Sequence, residues 1–243
     1  DFSREDEAFL LSYADGKEEN TPESIDRLSR LLGYERAAPW RIMAVTFTNK
    51  AAGELRERLE RMNAGGKDVF AGTFHSACIK MLRRGIEELG YKSSFTIYDT
   101  DDSLRVIKEV MKYLNISDKA FSPKEFQSKI SRAKDKLISP ERFPVFGEGG
   151  KPDFKLEKAR DIYTEYQKLL KAANALDFDD IIMKTVELLE KRPAILERWQ
   201  NSFDYIMVDE YQDTNMAQYK LISLLAAGSG NLCVVGDEDQ SIY

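Results

Sequence analysis

Cysteine and long apolar runs are both scarce in this sequence of 243 residues. Its two cysteines, Cys78 and Cys233, lie in separate apolar stretches and have no partner at metal-ligand spacing. This excludes a disulfide framework and a cysteine-type zinc site. No apolar run approaches the ~20 residues that a membrane helix needs, and no basic-then-apolar pattern indicates a signal segment. These absences predict a protein of the reducing cytoplasm that has no membrane partner.

An excess of positive charge is also absent, since the net charge is −6. Residues 1–26 hold nine Asp/Glu against two Lys/Arg, a net charge of −7, and we expect them to form a solvated surface insertion. A helix is predicted to begin near Pro22, because proline favours the first turn. Between residues 50 and 92 there are nine Lys/Arg and six Asp/Glu, so the body of the chain permits a polyanionic partner without requiring one.

Short apolar segments rich in β-branched and aromatic residues predict buried strands, and each ends abruptly in polar residues. Helical periodicity follows three of them directly, which is typical of an α/β fold with a parallel sheet. The carboxyl ends of parallel strands meet at one edge, so the motifs TFTN, TFHS, DEYQD and GDEDQ should converge there. The predicted strands are 42–47, 69–73, 205–208 and 232–235, and the helices 51–62, 77–89 and 216–227.

The alternation stops in the middle of the chain, where helical periodicity predominates. Residues 139–152 interrupt it with three prolines and three glycines and are predicted to form a loop. Helix is expected to return over 178–190. We therefore predict an α/β domain of five or more strands, made from residues 1–98 and 174–243, with 1–38 as an acidic insertion and helix. Residues 99–173 are predicted to form a mostly helical inserted subdomain.

The pair Asp209 and Glu210 follows the third predicted strand, a placement that suits metal and phosphate chemistry. One carboxylate can hold Mg²⁺ while its neighbour polarises an attacking water. In a plainer interpretation, acids at a strand end merely cap the next helix, with Thr214 or Asn215 capping the helix that begins at Met216. The next strand ends in a second acidic segment that contains Gln240, whose amide can bond a terminal phosphate or the water that attacks it.

Two further strand ends place an aromatic residue between hydroxyl and amide groups, at Phe47 and Phe74. This combination suits single-stranded nucleic acid, because bases stack on aromatic rings without sequence preference and small polar groups bond the phosphates. Taken singly, phenylalanines at such positions are more often core residues. His75, the one histidine of the sequence, is more often structural than functional.

Five segments, taken in order, resemble successive motifs of the superfamily 1 DNA helicases of the UvrD/PcrA/Rep group. They are AVTFTNKAA (44–52), GTFHS (72–76), LDFDD (176–180), VDEYQDTN (208–215) and VVGDEDQSIY (234–243). The resemblance implies a RecA-like motor domain of the P-loop NTPase type, interrupted by a helical subdomain. It also implies an ATP-driven enzyme that moves 3′ to 5′ on single-stranded DNA and unwinds duplex at single-strand/duplex junctions in repair or replication.

The resemblance assigns roles to individual residues. It implies that Asp209 coordinates the Mg²⁺ of ATP, that Glu210 is the base that orients the attacking water, and that Gln240 senses the γ-phosphate. The residues that it places against the single strand are Phe47, Thr48, Asn49, Thr73, Phe74, His75 and Tyr243.

One required motif is missing, because the sequence has no glycine-rich loop ending in Gly-Lys-Ser/Thr to cradle the phosphates. Gly16–Lys17 is followed by Glu18, and Lys92–Ser93 lacks the adjoining glycine. We expect a fragment, inactive alone, of a helicase whose phosphate loop and second motor domain lie elsewhere in the same parent chain. A non-catalytic pseudo-motor that binds single-stranded DNA is the alternative. A helicase–nuclease subunit would need a further domain.

Overall fold

The computed structural model describes residues 3–19, 21–32, 37–62 and 65–237. Its strands are β1 (Ile42–Thr46), β2 (Phe70–Thr73), β3 (Thr96–Tyr98), β4 (Ala175–Asp177), β5 (Tyr205–Val208) and β6 (Leu232–Val234). Its helices are α1 (Arg4–Ala14), α2 (Pro22–Leu32), α3 (Asn49–Met62), α4 (Phe74–Leu82), α5 (Thr100–Tyr113), α6 (Pro123–Asp135), α7 (Phe154–Ala172), α8 (Phe178–Lys191), α9 (Pro193–Gln200) and α10 (Met216–Ala226).

The main sheet is parallel and has the strand order β2-β1-β5-β6. This confirms the α/β class and the parallel sheet predicted from the sequence. The described residues of 1–98 and 174–243 contain six strands, in line with the expected five or more, and four of them form this sheet. The remaining two, β3 and β4, pair with each other in a separate sheet, with Thr96 opposite Ala175. They are three residues long and lie where the chain enters and leaves the inserted helices.

The two faces of the main sheet are covered unequally. Helices α3 and α4 lie on opposite faces, because residues of α4 pack in the core with Met43 and Val45, whereas α3 contacts β1 and β2 without contributing to that core. The face that carries Met43 and Ile206 is buried under α4, α8, α9 and α10. On the opposite face α3 covers β1 and β2, whereas Met207 on β5 is 45% exposed. The prediction of a buried strand at 232–235 is therefore wrong, because β6 lies at the edge of the described sheet and all its residues are exposed.

Helix α4 differs from the prediction at both ends. It begins at Phe74 rather than at 77, because Thr73 caps its first turn by accepting a hydrogen bond from the Ser76 N–H. It ends at Leu82, and a short 3-10 turn at Ile86–Leu89 follows Gly85. The apolar residues of 77–89 thus belong to two elements that share one buried face.

Helices α5, α6 and α7 form a second layer with its own apolar core. Residues 139–152 between α6 and α7 form a loop, as the prolines and glycines predicted, with two short 3-10 turns and an antiparallel bridge between Phe146 and Pro152. The core includes Ile107, Met111, Phe126, Ile130, Ile162 and Tyr163.

The acidic N-terminal helices lie at the amino ends of the strands. Arg27 of α2 binds Asp6 of α1 at 2.9 Å. A cavity of about 320 Å³ separates α2 from Ile42, the first residue of β1, and from Val69 just before β2. The acidic segment is therefore at the edge opposite to the carboxyl ends. Within the described ranges, no helix is both long and apolar enough to span a membrane.

Candidate nucleotide and DNA site

The carboxyl ends of β1, β2 and β5 bring three of the predicted motifs to one edge of the sheet. The ladder between β1 and β5 extends one residue beyond β5, since the Asp209 N–H donates to the Val45 carbonyl at 3.0 Å. Asp209 is therefore held at a fixed register beside β1 while its side chain stays exposed. The two strand ends are rigid supports for any ligand bound between them.

Glu210 adopts the left-handed conformation, with φ 53° and ψ 42°. Residues other than glycine rarely adopt this conformation, and where it occurs the surrounding contacts must hold it. Here the Glu210 N–H donates to Asp209 Oδ1 at 3.0 Å, and Gln212 Nε2 donates to Glu210 Oε2 at 2.6 Å. Both carboxylates thus have fixed orientations and remain open to solvent.

Gln212 links this pair to the segment after β6, a role that the sequence analysis missed. Its Oε1 accepts a hydrogen bond from the Asp237 N–H at 3.1 Å. A Cβ on Gly236 would lie 2.6 Å from the same oxygen, so a side chain at this position would displace the Gln212 amide. The only sequence feature that pointed to Gln212 is its position two residues after Glu210 in the same motif. Gln240 lies outside the described residues, as does Tyr243.

The metal that the resemblance implies fits the residues at this edge. Mg²⁺ binds through one or two carboxylates and otherwise keeps water or phosphate oxygens as ligands, so Asp209 beside Glu210 is a suitable donor set. The neighbouring strand end adds the Thr46 hydroxyl, which is buried and has no hydrogen-bond partner. The described residues contain no cluster of three or more His, Cys, Asp or Glu that could enclose a metal without such outside ligands.

The two phenylalanines predicted to contact DNA have different environments. Phe74 is 1% exposed and belongs to the core below the sheet, so its ring offers no free face on which a base could stack, and the predicted DNA contact of this residue stays a prediction. It is buried because it begins α4, whose apolar face packs on β1. Phe47 is only partly buried and packs on Phe74 with a centroid distance of 5.3 Å. Phe74 therefore supports Phe47 from below.

The three small polar residues predicted to contact DNA lie where helices begin. Thr48 Oγ1 accepts the Ala51 N–H at 3.1 Å, and Asn49 is the first residue of α3; both side chains are exposed. Thr73 is 7% exposed and its hydroxyl accepts the N–H of Ser76 as the cap of α4, so its predicted contact with DNA stays a prediction. Thr48 and Asn49 keep their predicted access to a strand bound at this edge.

His75 stacks on Phe178, a residue to which the sequence analysis gave no role. The ring centroids are 3.7 Å apart and the planes are inclined by 22°. Burial lowers the pKa of His75 to about 4, so the imidazole is neutral at pH 7. Phe178 is 57% exposed, and it places an aromatic face at the same edge as Phe47. The sequence feature that could have identified Phe178 is its position between two acidic residues of the LDFDD motif.

The comparisons with known proteins agree on one family. Residues 25–243 match the family described as the UvrD/REP helicase N-terminal domain. The chain is 47% identical over 218 residues to the ATP-dependent DNA helicase PcrA of Bacillus subtilis. The aligned residues cover 89% of this chain and 29% of the relative. It is 44% identical over 241 residues to the PcrA helicase of Staphylococcus epidermidis, covering 99% of this chain and 32% of that protein. The chain thus spans about a third of the length of these curated relatives.

Proposed function

Because the chain belongs to the UvrD/REP helicase family, we propose that it forms part of the RecA-like motor of an ATP-dependent DNA helicase. The motor translocates 3′ to 5′ on single-stranded DNA and unwinds duplex at single-strand/duplex junctions during repair or replication. A second motor domain completes the binding sites. The observation that carries the proposal is the placement of Asp209, Glu210, Phe47 and Phe178 at one edge of the sheet.

In the nucleotide site, Asp209 holds Mg²⁺, which neutralises phosphate charge when bound. Glu210 orients the attacking water and accepts its proton, a role that its fixed and solvent-open carboxylate allows. Gln240 bonds the terminal phosphate. The residues named here supply contacts to the metal, the water and the terminal phosphate, and they do not themselves form the amide-and-lysine cradle that holds a triphosphate.

In the DNA site, bases stack on Phe47 and on the pair of His75 and Phe178, while Thr48 and Asn49 bond phosphates. Neutral His75 contributes an aromatic face and a hydrogen bond rather than a positive charge. Tyr243 is proposed to lie against a further base. This face does not depend on the nucleotide, so a pseudo-motor that binds DNA without hydrolysis is the second candidate.

Binding of a fluorescent deoxythymidine oligonucleotide to the 243-residue chain at low salt tests the DNA site. We expect weak binding that Phe178→Ala weakens further, by ~1–3 kcal/mol, because one stacking surface is lost. Phe146→Ala is the matched control, since Phe146 is 59% exposed but lies in the loop before α7. Equal effects of the two substitutions would exclude Phe178 from the DNA site.

A titration with fluorescent ATP and a phosphate-release assay test the nucleotide site. The isolated chain is expected to show no measurable hydrolysis, because the carboxylates alone cannot hold the triphosphate. Turnover with micromolar ATP affinity would contradict this proposal. Tight, salt-insensitive DNA binding without nucleotide binding would instead favour the pseudo-motor.

A further inference from the structure

Lys134 of α6 carries a positive charge in the interior, where its side chain is fully buried. Its Nζ lies 2.6 Å from Asp177 Oδ2 and 3.0 Å from Asp180 Oδ1. The Tyr166 hydroxyl donates to the same Asp177 oxygen at 2.8 Å. Lys134 and Tyr166 belong to the helical layer, whereas the two carboxylates belong to β4 and α8. The cluster therefore joins the helical layer to the element that leads back to the main sheet.

The two carboxylates also build the first turn of α8. Asp177 is its N-cap and accepts the Asp180 N–H at 2.8 Å, while Asp180 Oδ2 accepts the Asp177 N–H at 3.4 Å. Phe178 is the first residue of this turn, and its ring stacks on His75. The position of that ring is thus set by a turn whose two acidic side chains both bind Lys134.

The charges in the cluster depend on one another. Burial opposes the ionisation of Asp177, but the attraction of Lys134 outweighs it and holds the pKa of Asp177 below its usual range. Burial and the charge of Asp177 raise the pKa of Asp180 to about 6. Without the ammonium, two neighbouring buried carboxylates would have to bind protons or move apart. Either change alters the capping box that places Phe178.

We propose that Lys134 is a positioning residue for DNA contact, which from the helical layer places Phe178 against His75 and so sets the stacking surface. This inference rests on the proposed DNA-binding function. It couples two parts of the molecule: movement of α6 away from α8 withdraws the ammonium and loosens the aromatic pair. The geometry of the exposed stacking surface then depends on the position of α6 relative to α8.

The single histidine makes the pair directly observable, because His75 gives the only imidazole signals in an NMR spectrum of the 243-residue chain. Stacking on Phe178 shifts these signals through the ring current. In Lys134→Met we expect them to move most of the way to their positions in Phe178→Leu, and we expect the pKa of His75 to rise from about 4 toward 6.5. Lys134→Arg should restore the wild-type signals in part.

The control is Lys155→Met, which removes a half-exposed lysine of the helical layer that pairs with Glu125. It should leave the His75 signals unchanged. A folded Lys134→Met chain with unshifted His75 signals would overturn the proposal. If Lys134→Met does not fold, Tyr166→Phe removes one hydrogen bond to Asp177 and keeps the ammonium. It should shift the His75 signals partway, and unchanged signals in this variant would also overturn the proposal.

Oligonucleotide binding separates this inference from the proposed function. We expect Lys134→Met to weaken binding about as much as Phe178→Leu, and Lys155→Met to weaken it less. Shifted His75 signals with wild-type DNA affinity would overturn the positioning role. Failure of the wild-type chain to bind single-stranded DNA at low salt would overturn the proposed function, while the His75 signals would still report whether Lys134 places Phe178.

Discussion

Glu210 is the residue with the most specific proposed role, since its backbone conformation and its two hydrogen-bonded neighbours fix its carboxylate. In a full-length helicase that contains this domain, Glu210→Gln should preserve nucleotide binding. The rate of ATP hydrolysis should fall by roughly 10²–10⁴-fold, because the amide keeps the shape but cannot accept a proton. Asp213→Asn, at an exposed acid of the same motif, is the control. Near-normal hydrolysis by Glu210→Gln would show that another group is the base.

His75 predicts a pH dependence of stability. Its pKa is lowered by burial to about 4, whereas the unfolded chain binds this proton near 6.5. The unfolded state is therefore favoured as the pH falls from 6.5 to 4, by up to about 3 kcal/mol. Asp180 acts in the opposite direction, because its raised pKa of about 6 makes the folded state bind a proton over 3.8 to 6.

The effect of His75 must accordingly be measured as a difference. The free energy of unfolding is measured in urea for the wild type and for His75→Gln between pH 4 and pH 7. Asp180 is present in both proteins, so its contribution cancels in the difference. The stability advantage of the wild type over the variant should shrink as the pH falls. A difference that does not change with pH would contradict a buried neutral imidazole.

At the scale of elements, the connection from α3 to β2 depends on a glycine. A Cβ at Gly66 would lie 2.0 Å from the Leu59 carbonyl oxygen, a backbone atom that cannot rotate away. Gly66→Ala should therefore lower the free energy of unfolding by about 1–3 kcal/mol. Gly53, inside α3, has no atom within 4 Å of its Cβ position, and Gly53→Ala should raise stability by about 0.5–1 kcal/mol. Urea unfolding measures both, and equal effects would contradict the packing described.

Elements with a local cause could be predicted from the sequence. The apolar segments of β1, β2 and β5 have the length and composition of strands, although alternate residues of β5 are exposed, and Asn215 caps α10 as one alternative proposed. Features that depend on distant partners could not be predicted. Phe74 has the same local pattern as Phe47 but begins a helix that packs into the core. The contact between Lys134 and Asp177 joins residues 43 positions apart, and a pattern of hydrophobic periodicity cannot predict a contact at that separation.

At the scale of the whole molecule, the acidic N-terminal segment has less influence on DNA binding than its net charge of −7 indicates. It lies at the amino edge of the sheet, and β1 alone spans ~17 Å at ~3.3 Å per residue. The Debye length is ~8 Å at physiological ionic strength, so most of the repulsion is screened. The variant Glu5→Gln/Glu7→Gln/Glu18→Gln/Glu19→Gln should change oligonucleotide affinity less than about twofold in 150 mM salt.

The matched control lies at the carboxyl edge. Lys50 in the first turn of α3 is 88% exposed, and Lys50→Gln should weaken binding and reduce its salt dependence by about one counterion. A larger effect from the four N-terminal changes than from this one would place the DNA path near the acidic helices.

The pairing of β1 with β5 also sets an order of folding. The ion pair of Arg41 and Asp204 at the start of these strands joins residues 163 positions apart, so forming the sheet closes a very long loop. The helices between them have their own core, and β3 and β4 hold the two ends of that segment together. Collapse of these helices shortens the loop before the sheet forms, and local contacts form fastest. Pulsed hydrogen exchange during refolding should protect the amides of α5 to α7 before those of β1 and β5, and simultaneous protection would mean that the two layers fold as one unit.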